Sequence, residues 1–230
     1  MSAASAPTAS TSPMAAEIAA LAIDPAAPLI IVDVDEVLAM FMRAFERFVG
    51  GHGLEMRITR FALFENIFRI GEAEHLDVAA GRTLFDAFFR TAAEDIEVAA
   101  GAPSSLAALS AHAGVVILTN APEDSRQARR RWLARHAFPY PLIVGRGLKG
   151  PPVAALAART RGPVAFIDDL LPHLDSAAAA APAVVGFQMV ADERLRPLAP
   201  TAPDRHRRLD EWPALAEAVA EALGFGGSAR

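Results

Sequence analysis

The chain has no cysteine, a single tyrosine and, among 22 lysines and arginines, only one lysine. The absence of cysteine excludes disulfides and thiolate metal sites and leaves the redox compartment open. A basic surplus is also missing. The formal net charge of -5 argues against a nucleic-acid binder. No apolar run reaches membrane-spanning length, and the N-terminus lacks the basic start and apolar core of a signal peptide. A soluble cytoplasmic protein with no membrane partner is the expectation, and nothing sets its oligomeric state. With 230 residues, 53% of them hydrophobic, the chain has material for one good core, or a core domain plus a small insert.

What is present is organised around Leu29-Ile30-Ile31-Val32-Asp33-Val34-Asp35-Glu36. The first four residues read as a strand buried on both faces. Acids are costly in the middle of such a strand, so Asp33, Asp35 and Glu36 belong at its carboxyl end, where open parallel sheets bind ligands. Two aspartates spaced by one residue point the same way in an extended chain. Held close, they repel unless a cation lies between them, a metal being the usual answer. On this stretch alone, a strand followed by a polar loop is the alternative.

Residues 1–25 read as a disordered or weakly helical segment, with a short helix from Met14 to Ile23. Between Phe41 and Phe89 the texture changes, for nine of the 13 phenylalanines fall there, several at helical spacing. Residues 40–100 are therefore expected to form a small helical insert with its own aromatic core. From Gly101 helix and strand alternate. Val115–Leu118, Leu142–Val144, Val164–Ile167 and Val184–Met189 read as strands. The intervening helices are expected over Pro103–His112, Pro122–Phe138, Pro152–Arg161 and the alanines before Ala181, with a last helix over Glu211–Leu223. Such alternation calls for a parallel sheet covered on both faces, built from residues 26–39 and 101–230.

Three apolar strands end in Asp33/Asp35, Thr119/Asn120 and Asp168/Asp169. If they are neighbours, four carboxylates, a hydroxyl and an amide share one edge. Such a crevice calls for a hard divalent cation; magnesium keeps some waters and leaves room for a phosphate. The lone lysine, Lys149, points to a site needing a compact ammonium rather than a flat guanidinium, with compositional drift as the alternative.

These four motifs, in this order, resemble the haloacid dehalogenase superfamily, chiefly its phosphatase branch. The resemblance spans roughly Leu29 to Ala181. It implies an α/β fold, a Rossmann-like core with strand order 5-4-1-2-3, and a cap inserted after the first motif, where the aromatic insert stands. It further implies a magnesium-dependent phosphatase acting on a small phosphomonoester through an aspartyl-phosphate. Asp33 would be the nucleophile and Asp35 the general acid/base. Thr119 and Asn120 would bind and position the phosphoryl group, and Lys149 would neutralise charge. Asp169 would hold Mg2+ with Asp33 and the backbone carbonyl of Asp35, supported by Asp168. A phosphomutase would keep every motif; a dehalogenase has no need of Asp35 or a metal; a non-catalytic interaction module should have lost some of these positions.

Glu36 stands where the family usually has glycine. It is read as a tolerated surface residue, with an altered loop or a reach toward the insert as the alternative. Arg126, Arg129, Arg130, Arg131 and Arg135 are read as a solvated helix face, Arg205 to Arg208 as a solvated loop, and the six histidines as surface residues. Arg43, Arg57, Arg60 and Arg69 are candidates to read an anionic substrate tail, though nothing in the sequence aims them.

Overall fold

The computed structural model describes residues 13–226. The disordered segment expected at the N-terminus lies mostly outside them; the helix expected after it is α1 (Pro13–Ala20). Then come β1 (Leu29–Val32), α2 (Phe41–Gly50), β2 (Leu54–Met56), a 3-10 turn at Phe64–Asn66, β3 (Ile67–Arg69) and α3 (Val78–Thr91). The remainder alternates: α4 (Ala102–Ser110), β4 (Gly114–Asn120), α5 (Arg126–Arg135), β5 (Leu142–Gly145), α6 (Gly150–Ala157), β6 (Val164–Asp168), α7 (Leu171–Ala180) and β7 (Val185–Gln188). A two-residue strand, β8 (Arg207–Arg208), and α8 (Trp212–Ala222) complete it.

The main sheet runs β8-β7-β6-β1-β4-β5 with every pairing parallel. Without β8, and with the five longer strands numbered in chain order, this is 5-4-1-2-3. The sixth strand is an addition to the expected five. It comes from Arg207 and Arg208, in the stretch read as a solvated loop.

Alternation along the central strands assigns each residue to a layer. Ile30, Val32, Val115, Ile117, Ala165 and Ile167 join one apolar cluster, with residues of α4, α5 and α8. Leu29, Ile31, Val116, Leu118, Val164 and Phe166 join the other, with residues of α1, α6 and α7. Both faces are covered, which is why these strands read as unbroken apolar runs.

Between β1 and α4 the chain is not purely helical: β2 and β3 pair as an antiparallel ribbon. Strands of three residues are too short to show alternation in a sequence. The aromatic core of this segment is also not separate. Phe41, Phe45, Phe88 and Phe89 are buried in the same cluster as β1 and β4, with Phe41 and Phe45 stacked at 5.5 Å and Phe88 edge-on to both.

The outgoing and returning connections run side by side. Met40 N–H donates to Glu97 O and Ala99 N–H to Leu38 O, each at 2.8 Å. Each connection is also held by a buried tryptophan: Trp212 Nε1 donates to Val37 O at 2.9 Å, and Trp132 Nε1 to Ile96 O at 2.8 Å.

Candidate active site

Parallel register decides which side chains meet. Val32 lies opposite Ile117 and Ile167, so the residues that follow in all three strands emerge at one edge. Asp33 N–H still donates to Ile167 O at 3.0 Å, continuing the ladder by one step. Carboxylate oxygens of Asp33, Asp168 and Asp169 lie within 4.8 Å of one another, all three residues buried. Lys149, at the start of α6, is 1% exposed and lies between two of them. Its Nζ donates to Asp168 Oδ2 at 2.7 Å and is 2.7 Å from Asp33 Oδ1. Gly150 sets that placement. A Cβ there would fall 2.3 Å from Ser176 O, so only glycine lets α6 seat against α7.

The charges do not balance. Fully ionised, three carboxylates against one ammonium would leave two negative charges uncompensated. Burial, with Asp168 and Asp33 beside it, pushes the Asp169 carboxyl well above its ordinary range. Burial likewise pushes Asp168 up to about 7 although Lys149 opposes it. Burial alone would lower the Lys149 ammonium, but Asp168 and Asp33 outweigh it and hold it above its usual value. All-oxygen donors, a two-charge deficit and strained protonation are what a hard divalent cation relieves, so the donor set fits magnesium.

Asn120 and His173 line the space beside this group, and Thr119 is at the same sheet edge, one residue before the end of β4. Thr119 is fully buried and its Oγ1 has no hydrogen-bond partner among the described residues. Asn120 Nδ2 donates to Gly147 O at 2.8 Å and is 3.4 Å from His173 Nε2. His173 is buried with Nδ1 unpartnered. Burial and the nearby Lys149 pull its pKa down to about 4, so it is neutral at pH 7.

Asp35 and Glu36 line the same edge but take other partners. The Nη2 of Arg129, a fully buried residue of α5, donates to both Asp35 oxygens at 2.8 Å. The guanidinium carbon lies 5.1 Å from the Phe89 ring centre, a cation–π contact. Burial raises the Asp35 carboxyl against the opposing charge of Arg129. Glu36 has φ +58°, the left-handed region. Its buried carboxylate accepts from Met42 N–H at 2.6 Å and from Asp192 N–H at 3.0 Å. It thus ties the first turn of α2 to the loop after β7. Burial pushes its pKa up to about 7, the two N–H donors opposing.

A cavity of about 280 Å³ opens above the cluster. Asp33, Asp35, Asn120, Lys149, Asp169 and His173 line its floor, and Phe41, Met42, Phe61, Leu63, Phe85 and Leu195 its walls.

No family model matches the chain, and no curated protein matches it. Solved structures do. A haloacid dehalogenase-like family hydrolase from Xanthomonas campestris superposes with TM-score 0.52 at 17% identity, over 89% of this chain and 99% of that one. A predicted phosphoglycolate phosphatase from Haemophilus somnus gives 0.56 at 14% identity, over 83% of this chain and 97% of that one. A Bacillus subtilis HAD-hydrolase structure bound to magnesium gives 0.55 at 12%, over 84% and 99%. The chain has the haloacid dehalogenase-like fold.

In this haloacid dehalogenase-like frame, the residues expected at the site divide into two groups. Asp33, Lys149, Asp168 and Asp169 converge with one another, and Thr119 and Asn120 close the same edge. The Asp35 side chain pairs with Arg129, a residue expected on a solvated face and found fully buried. Arg129 lies on one face of α5 with the buried Trp132 and Leu133, at i, i+3 and i+4, and that spacing was the signal available for it. The surface reading of Glu36 is overturned by its burial. So is the surface reading of His173 and of His206, whose Nε2 is 2.9 Å from Asp175 Oδ1.

Glu36→Ala should cost about 2–3 kcal/mol, because it leaves two buried N–H donors without an acceptor while keeping the strained backbone. Glu36→Gly should recover about 1 kcal/mol of that by relieving the left-handed conformation. Urea unfolding of the three proteins at pH 7 checks both; equal stability of the alanine and glycine variants would contradict the assignment of strain.

Proposed function

We propose that the protein is a magnesium-dependent phosphatase that hydrolyses a small phosphomonoester through an aspartyl-phosphate on Asp33. The observation that carries this reading is the buried trio of carboxylates around Lys149, with the partnerless Thr119 Oγ1 at the same sheet edge. A phosphoryl oxygen would give that hydroxyl its missing acceptor.

In this reading Asp33 attacks phosphorus as the bond to the leaving oxygen breaks. The Asp35 carboxyl gives that oxygen its proton, then takes one from the water that cleaves the aspartyl-phosphate. Its raised pKa suits the first step, and the Arg129 pairing favours the carboxylate left for the second. Lys149 holds Asp33 in place and offsets the charge that gathers there. Thr119 and Asn120 orient the phosphoryl oxygens. Asp33 and Asp169, with the Asp35 backbone carbonyl and Asp168 in support, would hold Mg2+. What the bound ion supplies is neutralisation of charge on the phosphoryl group. Alignment and charge balance are most of what phosphoryl transfer requires.

The test is release of inorganic phosphate from a panel of phosphate esters with Mg2+ and with chelator. Turnover of at least one ester that needs Mg2+ is expected. Release of halide from a haloacid, with no ester hydrolysed, would overturn the proposal.

A further inference from the structure

The deeper question is which ester. The walls of the cavity come mainly from the segment between β1 and α4: Phe41 and Met42 open α2, Phe61 and Leu63 precede the 3-10 turn, and Phe85 lies on α3. Leu170, after β6, and Leu195, after β7, complete them. None of these side chains carries a charge or a hydrogen-bonding group.

The arginines that would read an anionic tail either sit beside acids or lie outside the cavity. Arg43 is paired with Glu193 and lies 3.8 Å from Asp192. Arg57 is paired with Glu55 and stacked over the Phe68 ring. Arg69 lies beside Glu72, and Arg60 lines a separate hollow with Phe68, Glu74 and His75. Arg82 and Arg146 belong to a neighbouring groove that shares only Leu63, Phe85 and Asn120 with the cavity, and Asp86 lies in it with them. Among the described residues, Lys149 is the one cation lining the cavity, and Asp33 and Asp168 occupy it. Four acids, Asp33, Asp35, Glu36 and Asp169, face the same space.

We infer that the group esterified to the phosphate is small, uncharged and apolar, of the class of aryl or short branched-alkyl alcohols, rather than a hydroxy-carboxylate or a sugar. A carboxylate against these walls would give up water and meet no free cation, and a polyol would give up water without replacement partners there. An apolar group gains from leaving water against Phe41, Phe61, Leu63 and Phe85. The volume, about 280 Å³, falls just below the usual range of roughly 300–1,000 Å³ for sites of drug-sized ligands, which limits the group to one ring or a short branched chain.

This inference rests on the phosphatase reading, so the experiment separates the two. Calorimetric titration of the full chain in saturating Mg2+ compares benzylphosphonate with phosphonoacetate, two non-hydrolysable ligands that share the phosphonate and differ in the tail. Benzylphosphonate should bind at least about tenfold more tightly. Ala62→Arg, which adds a guanidinium to the wall at a small loop residue, should close or reverse that gap. Equal or tighter binding of phosphonoacetate by the natural chain overturns the inference, as does the absence of binding by either ligand. Turnover of benzyl phosphate and phosphoglycolate is measured alongside. A preference for benzylphosphonate with neither ester hydrolysed would uphold the apolar cavity and overturn the phosphatase reading alone.

Discussion

Asp33→Asn is expected to abolish turnover, a loss on the order of a millionfold, the scale seen when a catalytic nucleophile is removed. The side chain sits one residue beyond β1 with its backbone still in the ladder to Ile167, and Lys149 lies 2.7 Å from its Oδ1. Its position is therefore fixed before any substrate arrives. The amide retains the size of the side chain but loses both the nucleophilic charge and the attraction to Lys149. Beryllium fluoride in the presence of Mg2+ should bind the native protein at Asp33, located by the change in local hydrogen-exchange protection of the folded complex. Binding at another residue, or hydrolysis undiminished in Asp33→Asn, would end the aspartyl-phosphate mechanism. The fold should survive the substitution, and Lys149 then keeps Asp168 as its partner.

Asp35→Asn is expected to slow turnover about 100- to 10,000-fold, the usual worth of general acid–base assistance. The leaving oxygen needs a proton and the attacking water must lose one, and one carboxyl group serves both in turn. Aryl phosphates, whose leaving groups need less help, should lose less than alkyl phosphates. Magnesium affinity should persist, because Asp35 is expected to offer the ion its backbone carbonyl. Arg129 sharpens this expectation. Removing the carboxylate leaves a fully buried guanidinium without the ionic partner it has among the described residues, so unfolding must be measured beside turnover. A variant folded at the assay temperature that hydrolyses both esters at the native rate would show that Asp35 is not the acid/base.

The parts of this protein that were legible in its sequence are those whose signal is local. A strand buried on both faces is an uninterrupted apolar run, and an acid where that run stops marks the sheet edge; hence Asp33, Thr119 and Asp168 could be placed near one another before any coordinates. Lys149 stood out only because the chain has no other lysine. The expected helices exist, but α5 begins at Arg126, after a 3-10 turn at Glu123–Ser125, because the residues following Pro122 form that tighter turn first.

What escaped depends on distant partners. Arg129 looks solvated until Asp35, 94 residues earlier, is set against it. Glu36 looks exposed until Met42 and Asp192 supply its donors. The aromatic segment appeared to need a core of its own because sequence spacing cannot show that its phenylalanines merge with the layer under β1. Of the arginines in that segment, Arg57 and Arg69 lie beside near neighbours, Glu55 and Glu72, whereas Arg43 was a plausible tail reader because the acid that holds it, Glu193, lies 150 residues further along the chain.

The two tryptophans are the only ones in the chain, and each donates its indole N–H to one of the two connections that lead into and out of the aromatic segment. Both rings are fully buried and differ in surroundings: Trp132 lies 4.8 Å from the His136 ring, whereas Trp212 sits at the start of α8. The protein thus carries its own optical gauge. A swing of the segment that stretches either bond should change the emission of that indole. Ligand entry can be followed by ultraviolet fluorescence without attaching a dye, and Trp→Phe at either position tells which connection moved.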